Sequence, residues 1–188
     1  MVYKISIFDF IKEYSPLMIT IRKATAKDIH LLASLSVNAF MPAHGHSSPE
    51  KDITSYIKAN FSIENFKKEI ANTTFEYYLL YYTSKIAGFS KVIFNTPTKH
   101  VANNQVTKME RLYLLKEFYG LHLGTELMSF NSELAKTNHQ NGIWLEVWTE
   151  NFRAIKFYEK AGFKIVGQAN FTVSKTHSNP NYIMYLEF

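Results

Sequence analysis

The chain has 188 residues, 46% of them hydrophobic and 15% aromatic, which suits one globular domain with a substantial core. It contains no cysteine, which excludes disulfides, thiolate-bound zinc, a cysteine nucleophile and any acyl-cysteine intermediate. The net charge of +5 comes from scattered Lys and Arg, which suits a small polyanion better than a nucleic acid, and no apolar run is long enough to cross a membrane.

Residues 1–17 read as an N-terminal extension. Their apolar positions Val2, Ile5, Ile7, Phe8, Phe10 and Ile11 are interrupted by Asp9, Lys12 and Glu13, unlike a signal peptide, so a cytoplasmic location is expected. Pro16 separates this piece from Met18, a second candidate start, where a single domain of residues 18–188 begins. The extension is expected to pack on its own domain or on a neighbouring subunit, and a homodimer is left open.

Ile19–Arg22 reads as a short strand. Thr25 starts a helix, with Asp28 three positions on in a capping-box arrangement, and Ile29, Leu32, Leu35 and Ala39 continue its apolar stripe. Met41–Pro49 is rich in Pro, Gly, Ser and His and reads as a loop; its His44 and His46 lack a carboxylate partner and read as polar loop groups, not metal ligands. Ser48-Pro49 opens a second helix, and a third covers about Ser62–Asn72. The period then changes to that of strands. Phe75–Tyr82 and Ile86–Phe94 form a hairpin around Thr83-Ser84-Lys85. Gln105–Leu115 is the next strand, with Val106, Lys108, Glu110, Leu112 and Leu114 expected on one side. Leu123, Leu127, Phe130 and Leu134 mark a helix, and Ile143–Thr149 is a strand buried on both faces. A helix over Ala154–Ala161 stops at Gly162, and strands Phe163–Phe171 and Asn181–Phe188 close the chain. The fold class is α/β, one domain without repeats or linkers.

Between the strand ending at Leu115 and the following helix the chain turns through Tyr119-Gly120-Leu121-His122-Leu123-Gly124-Thr125. Backbone N–H groups at the start of a helix have no intrahelical partner, and with the helix dipole they make an anion site of the kind that holds phosphate. Glycine permits positive φ and close approach of a ligand there. Packing alone can also place two glycines at such a turn.

The downstream segment is more specific. Ile143-Trp-Leu-Glu-Val-Trp-Thr-Glu-Asn151-Phe-Arg-Ala-Ile-Lys-Phe-Tyr158-Glu-Lys-Ala-Gly-Phe163, with the glycine turn upstream, resembles the GNAT family of acetyltransferases over Met18–Phe188. The resemblance implies a mixed central sheet whose middle strands splay apart, with helices on both sides. It implies acetyl-CoA as cosubstrate and no metal. The pantetheine arm would pair with backbone at Leu112, Tyr113 and Leu114, and the pyrophosphate would sit on the turn Tyr119–Gly124 and Thr125. Two positions depart from the family pattern: Tyr119 stands where Gln or Arg is usual, and His122 where Gly is usual. Asn151 would contact pantetheine or cap a helix. Tyr158 would protonate the departing CoA thiolate, worth roughly a hundredfold. For the amine, whose pKa of about 10 keeps it protonated at neutral pH, Glu110 is the expected base, directly or through water, with Glu146 the other carboxylate considered. The missing cysteine fits direct transfer in a ternary complex.

Within the family the sequence is most similar to the PaiA-like bacterial polyamine acetyltransferases, through Pro49-Glu-Lys-Asp-Ile, Glu110-Arg-Leu-Tyr-Leu-Leu and Tyr182-Ile-Met184. The resemblance implies a small primary amine and, more finely, a polyamine. Against the polyamine, Val173–Asn181 lacks the acidic turn of those relatives and Ala169 replaces a usual His. A protein N-terminal or lysine acetyltransferase and a noncatalytic acyl-CoA-binding protein are the competing readings.

Overall fold

β-Branched and aromatic runs with a two-residue period pair into a sheet, and stripes of helical period cover its faces; the computed structural model describes residues 19–188, so the expectations for residues 1–17 lie outside the described residues. Seven strands lie in the order β1-β2-β3-β4-β5-β7-β6: β1 Ile19–Lys23, β2 Glu76–Tyr82, β3 Lys85–Ile93, β4 Thr107–Leu114, β5 Gly142–Trp148, β6 Lys164–Thr172 and β7 Ser178–Glu187. All neighbours are antiparallel except β4 and β5, which are parallel. The five α-helices are α1 Ile29–His44, α2 Glu50–Asn60, α3 Ile63–Ala71, α4 Leu123–Thr137 and α5 Phe152–Lys160.

One face of the sheet meets α1, α2 and α3 around Leu32, Phe40, Phe66, Leu79 and Phe89. The other meets α4 and α5 around Met128, Ile155, Leu145 and Val92. Caps agree with the sequence: Thr25 and Asp28 form the capping box ahead of α1, Ser62 caps α3, and Gly162, at φ +94°, ends the α5 segment where a side chain would strain. Thr83 and Ser84 both take positive φ, the geometry of a two-residue hairpin turn, so Lys85 already belongs to β3.

Three expectations need correction. The first helix does not stop before Met41 but runs through Pro42 to His44. Proline removes one ladder bond, yet Phe40 and His44, one turn apart, stack with centroids 4.9 Å apart and hold the extra turn. The last strand begins at Ser178, because Val173 and Ser174 N–H both donate to the His177 carbonyl and close a tight turn. The simple alternation expected along Gln105–Leu115 also fails. Lys91 pairs with Arg111 and Val92 with Met109, so Glu110 is an extra residue, a β-bulge. Beyond it the faces exchange: Met109, Leu112 and Leu114 pack toward α4, whereas Arg111 and Tyr113 face the α1–α3 side.

Candidate active site

The parallel pair β4–β5 is matched only at Thr107–Ile143 and Lys108–Trp144. Beyond those pairs the strands diverge, β4 staying on β3 and β5 on β7, so from Met109 onward β4 has no ladder partner on its β5 side. A cavity of about 1080 Å³ opens there, running from the turn before α4 to the helices α1 and α2. Backbone groups at Leu112, Tyr113 and Leu114, all of which line it, are therefore free to pair with an extended ligand.

At one end of the cavity is the glycine turn. A short 3₁₀ turn, Lys116–Phe118, leads into it, and His122 is the residue before α4. Gly120 has φ +81° and a side chain added there would meet nothing within 4 Å, so conformation, not crowding, demands glycine and leaves room above the backbone. His122 adopts φ +59°, ψ +7°, the left-handed conformation that takes the place of the family's glycine at a modest cost. Among the described residues the N–H groups of Gly120 to Gly124 donate to no protein acceptor, and the first paired N–H is that of Thr125, to the His122 carbonyl. This is a row of donors at a helix N-terminus, the chemistry that holds a pyrophosphate. Leu123, Gly124 and Thr125 line the cavity as expected, whereas the Leu121 side chain turns outward and is 44% exposed. A side chain at Gly124 would lie in ordinary contact with Phe157.

Tyr119, where the resemblance implied Gln or Arg, carries an arginine on its ring instead. The Arg153 guanidinium lies 3.8 Å from the Tyr119 centroid, and both residues line the cavity. Arg153 enters from the first turn of α5, which Asn151 caps by accepting from the Ala154 N–H at 3.2 Å. One turn further along the helix axis, Tyr158 is buried against Phe157 and Phe163 and also lines the cavity. Its hydroxyl has no protein hydrogen-bond partner among the described residues, and burial raises its pKa well above the ordinary phenol value. The hydroxyl therefore keeps its proton across the working pH range.

The opposite end is built from charged and aromatic side chains. Glu110, about a third exposed, lies 2.5 Å from the Lys91 ammonium, which is 3% exposed and also reaches Glu69 at 3.1 Å. Burial disfavours the Glu110 carboxylate, but Lys91, then Arg111 and Lys108, outweigh it and hold its pKa below the ordinary value. Arg111 donates to the Tyr77 hydroxyl at 2.9 Å, and Tyr77 in turn donates to Glu69. Glu146, the second carboxylate considered, pairs with Lys108 at 2.9 Å. Phe40, Tyr56 and Phe171 form a continuous aromatic wall, with ring centroids 5.4 and 5.7 Å apart. His44 joins it beside Tyr113 and Trp148; burial, then the neighbouring His46, lowers its pKa to about 4. It is neutral at physiological pH. Among the described residues no group of three or more His, Cys, Asp or Glu side chains converges as metal ligands would, and no helix is long and apolar enough to cross a membrane.

The structure thus brings Leu112, Leu114, the turn, Asn151 and Tyr158 to one cavity, with Glu110 at its far side. Reading the sequence missed Arg153, Lys91, Arg111 and Asp52. Arg153, Arg111 and Asp52 lay inside quoted segments but carried no mark of their own beyond charge; the partners of Lys91 and Arg111 come from distant elements, and only the fold buries Asp52.

The comparisons agree with this arrangement. The model of the Acetyltransferase (GNAT) family matches residues 38–163, more than half of the chain. An uncharacterised N-acetyltransferase of Lactobacillus delbrueckii subsp. lactis is 24% identical over 144 residues, covering 77% of this chain and 83% of that protein. One of Mycobacterium bovis is 26% identical over 160 residues, covering 85% and 97%. Among solved structures, the PaiA N-acetyltransferase of Thermoplasma acidophilum in complex with coenzyme A has a TM-score of 0.73 at 22% identity, over 92% of this chain and 100% of that one. The ribosomal-protein-S18-alanine N-acetyltransferase of Escherichia coli has a TM-score of 0.65 at 18% identity, over 90% and 94%. With the family model spanning the splayed strands, the glycine turn and α5, the chain belongs to the GNAT family and is an N-acetyltransferase.

Proposed function

We propose that this enzyme transfers the acetyl group of acetyl-CoA to a primary amine of a small molecule, by direct attack in a ternary complex. The observation that carries the reading is the opening between β4 and β5, which joins a row of unpaired backbone donors to an ionised carboxylate across one cavity. The free β4 edge at Leu112, Tyr113 and Leu114 takes the pantetheine amides. The N–H groups from Gly120 to Gly124 take the pyrophosphate, with Tyr119, His122 and Thr125 around them. Arg153, held on the Tyr119 ring, supplies the charge-assisted contact that Tyr119 itself lacks.

The acceptor amine loses its proton to Glu110, directly or through water, and its nitrogen lone pair attacks the thioester carbon. The new C–N bond forms as the C–S bond breaks; Tyr158 gives its proton to the leaving thiolate, and the second proton shed by the nitrogen as it becomes an amide restores Tyr158 through water. Lys91 keeps Glu110 ionised at neutral pH, so the carboxylate is ready to take the ammonium proton, and water relays that proton to solvent before the neutral amine attacks. Holding the two reactants in one cavity supplies much of the remaining rate.

The test is thiol release from acetyl-CoA with a panel of small amines and an N-terminal peptide, alongside CoA binding by calorimetry. Turnover on small amines supports the reading. Turnover on the peptide alone replaces the acceptor class, and CoA binding with no turnover on any amine leaves a noncatalytic acyl-CoA-binding protein.

A further inference from the structure

Four carboxylates line the acceptor half of the cavity, and three of them are already matched by cations: Glu69 and Glu110 by Lys91 and Arg111 together, and Glu146 by Lys108. Lys51 and Lys175 add further positive charge to the same lining. The fourth carboxylate is different. Asp52 lines the cavity and is only 7% exposed, yet among the described residues it makes no ion pair and no side-chain hydrogen bond. Its carboxylate oxygens stay open to the cavity, where a cationic group of a ligand can reach them. Its place in the first turn of α2 favours an acid through the helix dipole, but the exposed Glu50 in the same turn already supplies that. Asp52 and Tyr56 stand one turn apart on the same face of α2, so the carboxylate sits at the foot of the aromatic wall of Phe40, Tyr56 and Phe171.

We infer that Asp52 is the specificity-determining residue for the acceptor: it binds one positive group remote from the reacting amine, and the aromatic wall packs a flat apolar body between the two. The acceptor is then a compact dication. A third or fourth ammonium would meet carboxylates that Lys91, Arg111 and Lys108 have already claimed, with Lys51 and Lys175 repelling it, so long polyamines are refused. The inference rests on the acetyltransferase reading above and narrows its substrate.

The experiment compares benzylamine, p-xylylenediamine, 1,4-bis(2-aminoethyl)benzene and spermine as acceptors, with CoA affinity measured separately. In the wild-type enzyme the better aromatic diamine is expected to exceed both benzylamine and spermine in kcat/KM by at least about tenfold. Asp52→Asn is expected to remove the preference for diamine over benzylamine by raising KM for the diamine, with the Kd for CoA unchanged. The inference is overturned if spermine is the best acceptor, if benzylamine matches both diamines, if no member of the set is acetylated by an enzyme that binds CoA, or if Asp52→Asn keeps the preference. Should that variant lose CoA binding through misfolding, the wild-type ranking alone decides. Failure to bind CoA at all would instead remove the acetyltransferase reading on which the inference stands.

Discussion

The two ends of the cavity are built by different means. The end at the glycine turn presents backbone: unpaired N–H groups from Gly120 to Gly124 and an unpaired β4 edge, both fixed by secondary structure. The end under α1 and α2 presents side chains: Lys91 between Glu69 and Glu110, Lys108 on Glu146, and an aromatic wall drawn from three elements. Backbone recognition tolerates changes of residue type. Tyr119 and His122 both depart from the family pattern, yet the turn keeps its shape because His122 adopts the left-handed conformation a glycine would. Side-chain recognition has no such tolerance, since Lys91, Glu69, Glu110, Lys108 and Glu146 each depend on a partner from another strand or helix.

The sharpest break with that comparison would come from the side chain proposed to protonate the leaving thiolate. Tyr158→Phe removes the hydroxyl and keeps the ring packing against Phe157 and Phe163, so kcat is expected to fall by about a hundredfold or more while the Kd for CoA stays constant. Unaltered turnover would remove Tyr158 as the acid. Next in size is the carboxylate network. Glu110→Gln is expected to cost on the order of tenfold or more in kcat/KM. The pH dependence gives the finer reading. In the wild type Lys91 outweighs burial, so Glu110 stays ionised down to below its ordinary pKa of 4.5, and no break from this carboxyl is expected above that pH. In Lys91→Met burial prevails and the carboxyl titrates at higher pH, so a loss of rate on acidification moves into the measurable range. A Lys91→Met profile that matches the wild type would disconnect Glu110 from the rate.

Local patterns announced most of the elements, the capping box at Thr25 and Asp28, and the glycine turn, because each depends on neighbours in sequence. Tyr158 and Asn151 were legible through a contiguous family signature. The β-bulge was not. One additional residue at Glu110 carries no residue-type mark, yet it reverses which side chains of β4 face α4 and which face the acceptor half. Met109 therefore packs toward α4 with Leu112 and Leu114, while Glu110 turns to Lys91 on the other side, a division that plain alternation assigns wrongly. Asp52 escaped notice for a related reason. As an acid in the first turn of a helix it reads as ordinary, and only the tertiary fold shows that it is buried and unpaired. The turn at Met41–His44 failed locally as well, since proline, glycine and histidine outvoted an aromatic stack between Phe40 and His44 that composition does not reveal.

Two smaller effects sharpen the contrast at the backbone end. Arg153→Ala is expected to weaken CoA binding by about tenfold, the worth of one charge-assisted contact, and the deficit should shrink at high salt. Tyr119→Leu should reproduce part of it, because the ring that positions the guanidinium is gone. An Arg153→Ala variant with wild-type affinity would leave the backbone as the whole of the phosphate site.

The smallest effect belongs to His122, and its smallness is the point. The residue holds φ +59°, where a β-carbon costs on the order of 1 kcal/mol that glycine does not incur. His122→Gly should therefore hold or slightly raise thermal stability, offset in part by the greater freedom of glycine in the unfolded chain. Its N–H stays in place, so the Kd for CoA is expected to remain within about threefold of the wild type. A loss of tenfold or more would mean that the imidazole itself contacts phosphate. In that event the glycine turn would recognise its ligand by side chain, as the acceptor end does.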